Sequence, residues 1–321
     1  MRHRTNGRCG MNEARFWRWW DRYGLLAILG VTVVALAAGQ PRFRSWYTAL
    51  NLLSTSAPVA IAGAGMTLAI TCGVFDLSIG ALLALVSVTI GVLVPHLGLT
   101  GAMVAGLAMG GAAGLVNGLI VTRLKIQAFI ATLGTMLLWR GLALWISGGK
   151  DANLVHVPAV KVLAHWGWLA LLVAGTYGLS ALIYYRLPLG LRLRAVGSSA
   201  TSAWASGVNV NAMTLFVFAY VALTASVAAA ITTSQLAIGG CNLGVSFELE
   251  AITVVLLGGT ALRGGLGNLG GTLLATALLG VMRIGLDLAN VKDEYQRLAI
   301  GLLLLTALAL DGVRRARKEA A

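Results

Sequence analysis

"GVFDLSIGALLALVSVTIGVLVPHLGLTGAMVAGLAMGGAAGLVNGLIV", residues 73 to 121, holds a single formal charge, Asp76, followed by two apolar blocks at 77–95 and 99–121. Each block has about the 17–25 residues that a helix needs to cross a hydrocarbon core roughly 30 Å thick. A soluble protein with a buried core does not need apolar stretches of that length. The rest of the chain agrees: of its 321 residues 58% are hydrophobic and 11% charged, with a mean hydropathy of +0.84, where soluble domains carry about 25% charged residues. The fold class is therefore all-α, a polytopic membrane helix bundle. A β-barrel would show short segments of alternating hydrophobicity, and the sequence has none.

About ten transmembrane helices are read, at 24–39, 50–71, 77–95, 99–121, 128–147, 166–185, 212–235, 249–262, 269–286 and 296–311. An even count puts both termini on one face. Basic residues gather at the N-terminus (Arg2, Arg4, Arg8, Arg15, Arg18, Arg22), at the C-terminus (Arg314, Arg315, Arg317, Lys318) and in the even-numbered loops (Arg123, Lys125, Arg186, Arg192, Arg194, Arg263). These are two thirds of the 24 Lys and Arg, and by the positive-inside rule both termini are cytoplasmic. The chain divides into a basic N-terminal segment (1–23), a transmembrane domain (24–311) and a basic tail (312–321). The net charge of +13 thus reads as a topology signal toward the lipid bilayer, with no nucleic acid partner expected. The N-terminal block also resembles a signal peptide, with Ala35-Leu36-Ala37 as a cleavage-like triplet; a retained first helix is favoured, and either Met1 or Met11 can be the start.

Span four carries Gly106, Gly110, Gly114 and Gly118, four residues apart. That spacing stacks them on one helix face, where a second backbone can approach, and reads as a packing seam. Asn117, within it, is expected to bond across to a neighbouring helix. Of the 11 acidic residues, Asp76, Glu248 and Glu250 lie at or inside apolar territory, where a charge costs a few kcal/mol and is usually functional or paired. "GVFDLSI" (73–79) and "GVSFELEAI" (244–252) share a Gly, Phe, acid, Leu order, a hint of the paired segments that mark transporter centres. Asp76 reads equally as an N-cap for span three. Arg140 is a further embedded charge, expected to pair with an acid. The cysteines (Cys9, Cys72, Cys241) and histidines (His3, His96, His156, His165) show no metal spacing.

No phosphate loop, nucleophile elbow or dinucleotide fingerprint occurs. The chain is not expected to be an enzyme or to hold a cofactor, which leaves transport or channel activity. An ion-coupled secondary transporter using Asp76 with Glu248 or Glu250 is one reading.

"CGVFDLSIGALLAL" (72–85), "FIATLGTMLLWRGLALWISGG" (129–149), "ASGVNV" (205–210) and "SFELEAITVVLLGGTALRGGLGNLGGT" (246–272) together resemble the permease subunit of the ribose/arabinose/galactose-type bacterial ABC sugar importers. "WDRYG" with "FDLS" leans toward the arabinose-like branch, and autoinducer permeases share the motifs. The resemblance implies a multi-pass inner-membrane protein that carries a monosaccharide, pentose or hexose, as a dimer with a second copy or paralogue. It also implies a cytoplasmic ABC ATPase that binds ATP-Mg and a periplasmic sugar-binding protein. It further implies that 187–210 contains the coupling helix that seats in the ATPase, with Gly190, Arg194, Gly197, Ser206 and Gly207 as its marked residues. Here the sequence departs from the family in having Gly190-Leu191 for a Gly-Arg pair and "SSATSAWASG" without an acid, a difference that bears on partner choice. Bulkier residues at Gly197 and Gly207 are expected to uncouple ATP hydrolysis from uptake while leaving the fold intact. Asp76, Ser78, Thr132, Thr135, Glu248 and Glu250 are implied to lie near the translocation path or its gates. A neutral sugar needs hydrogen-bonding groups that hold it weakly enough to let it go.

Overall fold

The structure, a computed structural model, describes residues 7–292 except 158, and residues 294–296, 298, 299, 301, 302, 305 and 306; side chains are described from Tyr23 onward. The tail at 312–321, most of the expected span at 296–311, and Arg2 and Arg4 lie outside the described residues. Helix α1 (Gly7–Gly39) runs back through the basic segment, which contains no proline to stop it. Its apolar part, Tyr23–Gly39, covers the block 24–39 as a shorter apolar helix. Helix α2 (Trp46–Thr71) starts at Ser45, whose hydroxyl accepts from Thr48 N at 3.2 Å.

Helix α3 (Ile79–Arg123) has 45 residues. Straight, it would be about 68 Å long, over twice the hydrocarbon core. It folds back instead at Gly98, where φ 67 and ψ 174 give a conformation essentially reserved for glycine. The arms then pack antiparallel: a Cβ on Gly106 would sit 2.7 Å from Ile90 Cγ1, and one on Gly110 3.2 Å from Val86 Cγ2. These arms are the two blocks quoted above.

The remaining helices are α4 (Ala128–Ser147), α5 (Trp166–Ala181) with a π turn over Leu182–Arg186, α6 (Pro188–Ser198), α7 (Ala200–Ala205), α8 (Val210–Leu236), α9 (Phe247–Leu257) and α10 (Leu269–Leu288). Two short strands, β1 (Ala152–Asn153) and β2 (Ile238–Gly239), pair antiparallel with Ala152 opposite Gly239. Among the described residues, six helical stretches are long and apolar enough to cross a membrane: α2, α3, α4, Trp166–Arg186, α8 and α10. The block at 249–262 departs from its expected length. Its helix ends at Leu257 because Gly258 and Gly259 follow, the latter at φ +88, and 11 residues rise only about 16 Å.

The core is built from α2, the first arm of α3 and α8. Residues 57–71 and 79–91 are buried on every side, the pattern of a helix enclosed by others. The glycines of the second arm form the expected packing seam: Gly114 abuts Ala222 and Phe218 of α8, and Gly118 abuts Leu215. Hydroxyl pairs add polar links between helices, at Thr67–Thr272 (2.9 Å), Thr233–Ser87 (2.7 Å) and Ser180–Tyr220 (2.7 Å), as befits packing in lipid. Outer helices expose their apolar side chains, Leu137 and Trp145 on α4 among them.

Gly114→Val is expected to overpack the α3–α8 contact by about 1–3 kcal/mol and to lower the Tm of the detergent-purified protein. Gly175→Ala on α5, with no heavy atom within 4 Å of the new Cβ, is expected not to lower it.

Candidate functional site

Asp76 closes a turn at the start of α3. Its Oδ1 accepts from the Ser78 amide at 2.8 Å and the Ser78 hydroxyl at 2.6 Å, an Asx-turn of the kind aspartate favours. Asn117, on the second arm, donates to Ser78 Oγ at 2.8 Å and to Asp76 Oδ2 at 3.4 Å, the cross-arm bond expected of it. All three side chains are fully buried. The formal N-cap is Ser78, without a side-chain capping bond, so the carboxylate shapes the turn into the helix one step before the cap. From α4, Thr132 reaches back to Ala128 O at 2.9 Å and makes a long 3.5 Å contact to Phe75 O; Thr135 donates to Thr132 O at 3.3 Å. The structure thus brings Asp76, Ser78 and Asn117 together around one turn, with the Asn117 amide nitrogen facing the Ser78 hydroxyl and the Asp76 carboxylate, and sets Thr132 against the same turn through Phe75 O.

Arg140 does not take an acid as its hydrogen-bond partner. Its Nη1 donates to Cys241 O (2.7 Å) and Leu243 O (2.8 Å), and its Nη2 to Gly80 O (3.4 Å). The reason lies in residues 240–246, which are non-helical. This segment follows the first arm of α3 from Gly239, packed on Gly91, down to Gly244, packed on Gly80, about 16 Å of helix rise. Backbone groups there need partners that lipid does not offer. Arg140 supplies two, Ser87 Oγ accepts from Gly240 N (3.2 Å) and Asp151 Oδ1 from Cys241 N (3.3 Å).

The two α9 acids part company. Glu248 lies against Gly80, close enough to Arg140 for their charges to interact. Glu250 forms an ion pair with Arg283 of α10 at 2.7 Å. Arg283 carries the same sequence signal as Arg140, a lone charge inside an apolar block, 269–286, but its partner lies 33 positions away.

In the segment 187–210, Leu187 is extended ahead of Pro188, which opens α6, as the residue before a proline tends to be. Gly190 is buried under Tyr184 O, and Arg194 donates to Gly190 O (3.2 Å) with its guanidinium 5.2 Å from the Tyr184 ring centre. Leu191 and Trp204 are exposed, and so are Ser206 and Gly207. Gly207 has open space around it but sits at φ +82, a backbone shape that strains any larger residue, so the expectation that it accepts bulk with the fold undisturbed is corrected on conformation. Gly197 does not have open space: a Cβ there would overlap Thr71 O and come 2.6 Å from Gly265 N. The expectation that Gly197 accepts bulk with the fold undisturbed is therefore corrected.

Compared with known proteins, residues 48–308 match a family profile described as "Branched-chain amino acid transport system / permease component". The chain belongs to this permease family. The permease is 32% identical over 307 residues to the ribose import permease protein RbsC of Escherichia coli K12, covering 92% of this chain and 94% of the relative. It is 33% identical over 290 residues to the ribose import permease protein RbsC of Bacillus subtilis 168, covering 88% and 90%. It is also 30% identical over 316 residues to the L-arabinose transport system permease protein AraH of Escherichia coli K12, covering 95% and 94%. These near-equal identities do not separate a ribose from an arabinose branch. No solved structure matches. The permease is a multi-pass membrane protein, and its site elements all lie within the matched residues.

Replacing Arg140 with Met is expected to orphan buried carbonyls at about 1–3 kcal/mol each and to lower the Tm of the purified permease more than Glu250→Gln does. Arg140→Lys, which has one nitrogen where the fork has several, is expected to fall between.

Proposed function

We propose that this permease is the membrane-spanning subunit of an ATP-driven ABC importer for a monosaccharide, a pentose or hexose, in the bacterial inner membrane. The observation that carries the reading is similarity over nine tenths of both chains to import proteins named for ribose and arabinose. On this reading the passes number ten: Tyr23–Gly39, α2, the two arms of α3, α4, Trp166–Arg186, α8, α9 with its non-helical lead, α10 and the apolar sequence block 296–311. Ten passes return both basic ends to the cytoplasm.

The segment α6–α7 presents Leu191 and Trp204 to solvent on a base of buried Gly190, Leu193, Val196 and Ala203. That arrangement suits a cytoplasmic ATPase, which binds the ATP and magnesium. A periplasmic binding protein delivers the sugar, and a second permease copy or paralogue completes the path. Asp76, Ser78, Thr132, Thr135, Glu248 and Glu250 gate or line it. The enclosed Asp76–Ser78–Asn117 cluster acts as a closed joint of the gate, and the partly buried Glu248 offers weak hydrogen bonds to sugar hydroxyls.

The test is uptake of labelled pentose or hexose into liposomes holding the permease. Uptake is expected only when the ATPase, ATP and the binding protein are all supplied; uptake by the permease alone, or driven by a sodium or pH gradient, overturns the reading. Asp76→Ala is expected to keep membrane levels while abolishing ATP-driven uptake, checked by immunoblot beside the uptake assay.

A further inference from the structure

Three glycines far apart in sequence meet at the base of the bundle. Gly73 follows the end of α2, Gly197 closes α6, and Gly264 lies in the loop between α9 and α10. A Cβ on Gly264 would come 2.7 Å from Gly197 O, 3.0 Å from Gly197 Cα and 3.0 Å from Gly73 Cα. One on Gly73 would sit 3.5 Å from Gly197 Cα. Gly73 and Gly264 also have positive φ, +83 and +87, so glycine is favoured there twice over, for space and for backbone shape. The contact is main chain on main chain, and Gly265 N donates to Thr71 O at 2.8 Å across it.

A second link runs parallel to the first. Tyr184 OH donates to Gly267 O at 3.1 Å and accepts from Gly267 N at 2.9 Å, while Arg194 of α6 covers the Tyr184 ring. Segment α6 thus meets the α9–α10 loop directly at Gly197 and indirectly through Tyr184 of the preceding turn, on which Gly190 and Arg194 pack. Through Gly73 it is fastened to the turn that, three residues on, carries Asp76.

Side chains yield by changing rotamer, whereas backbones in direct contact move together. We propose that Gly73, Gly197 and Gly264 form a rigid joint that positions the Asp76–Ser78 turn according to the position of α6. This rests on the reading of α6–α7 as the ATPase-facing element. On it, displacement of α6 moves the start of α3 and the α9–α10 loop as one body, with no compliant side chain between.

The joint is tested with Gly197→Ala and Gly264→Ala, using Gly175→Ala as control, in a background of Cys9→Ser and Cys241→Ala that leaves Cys72 as the sole thiol. Cys72 is buried and adjoins Gly73. Three readouts are taken: sugar imported per ATP hydrolysed by the assembled complex, the rate of maleimide labelling of Cys72 in membranes, and the Tm of the purified permease. Both added methyls press on main chain, at Thr71 O and Gly197 O, so both variants are expected to have a lowered Tm while still reaching the membrane and binding the ATPase, to import about tenfold less sugar per ATP, and to label Cys72 faster; the control is expected to show none of the three changes. An unchanged import ratio in an assembled complex overturns the joint, as does unchanged Cys72 labelling. Loss of both variants from the membrane overturns it too, since the glycines would then be a folding requirement. If the unmutated complex imports nothing with ATP, the functional reading fails, and Cys72 labelling alone still decides the joint.

Discussion

Lipid offers no hydrogen bonds, and every polar backbone group inside the bundle must find its partner within the chain. Helices meet that demand by themselves. Residues 240–246 do not, and the structure answers with Arg140, whose Nη1 donates to two carbonyls of the segment while Nη2 reaches Gly80 O on α3, a planar spread of donors that one ammonium lacks. Ser87 and Asp151 complete the set. The embedded charge is thus explained by the shape of the chain beside it: a break in helical structure at membrane depth has to be accompanied by a donor from a neighbouring helix.

The second organising feature is closeness. Small residues let backbones approach where lipid supplies no hydrophobic drive between helices. The second arm of α3 uses its four glycines in sequence order, first against its own partner arm and then against α8. The hairpin bend at Gly98 makes this possible, since it aligns Gly106 with Ile90 and Asn117 with Ser78. The same alignment assembles the Asp76 cluster, so the packing of the core and the geometry of the candidate site come from one fold-back.

What was legible in the sequence was whatever repeats or persists along it. Apolar blocks at 77–95 and 99–121 announced two passes, and Gly106 to Gly118 announced a seam. Asn117, an amide among glycines, was readable as a cross-helix bond. What was not legible depended on groups that leave no mark in sequence. Carbonyls of Cys241 and Leu243 look like any others, so the partner expected for Arg140 was an acid. The α9 block at 249–262 reads as continuous apolar chain, yet Gly258 and Gly259 end its helix. Gly197 looked like a replaceable loop residue because nothing local tells that Thr71 and Gly265 press on it. The pair of Glu250 and Arg283 spans 33 positions and needed the fold to bring it together.

Arg140 grips Gly80 on α3 and the 241–243 stretch that leads into α9. Those two helix starts carry Asp76 with Ser78 and Glu248 with Glu250. One guanidinium therefore staples together two acidic helix openings drawn from opposite halves of the chain. A tilt of either helix start would strain the guanidinium's bonds to the other, so α3, α4 and the entry to α9 are tied together at this end of the bundle.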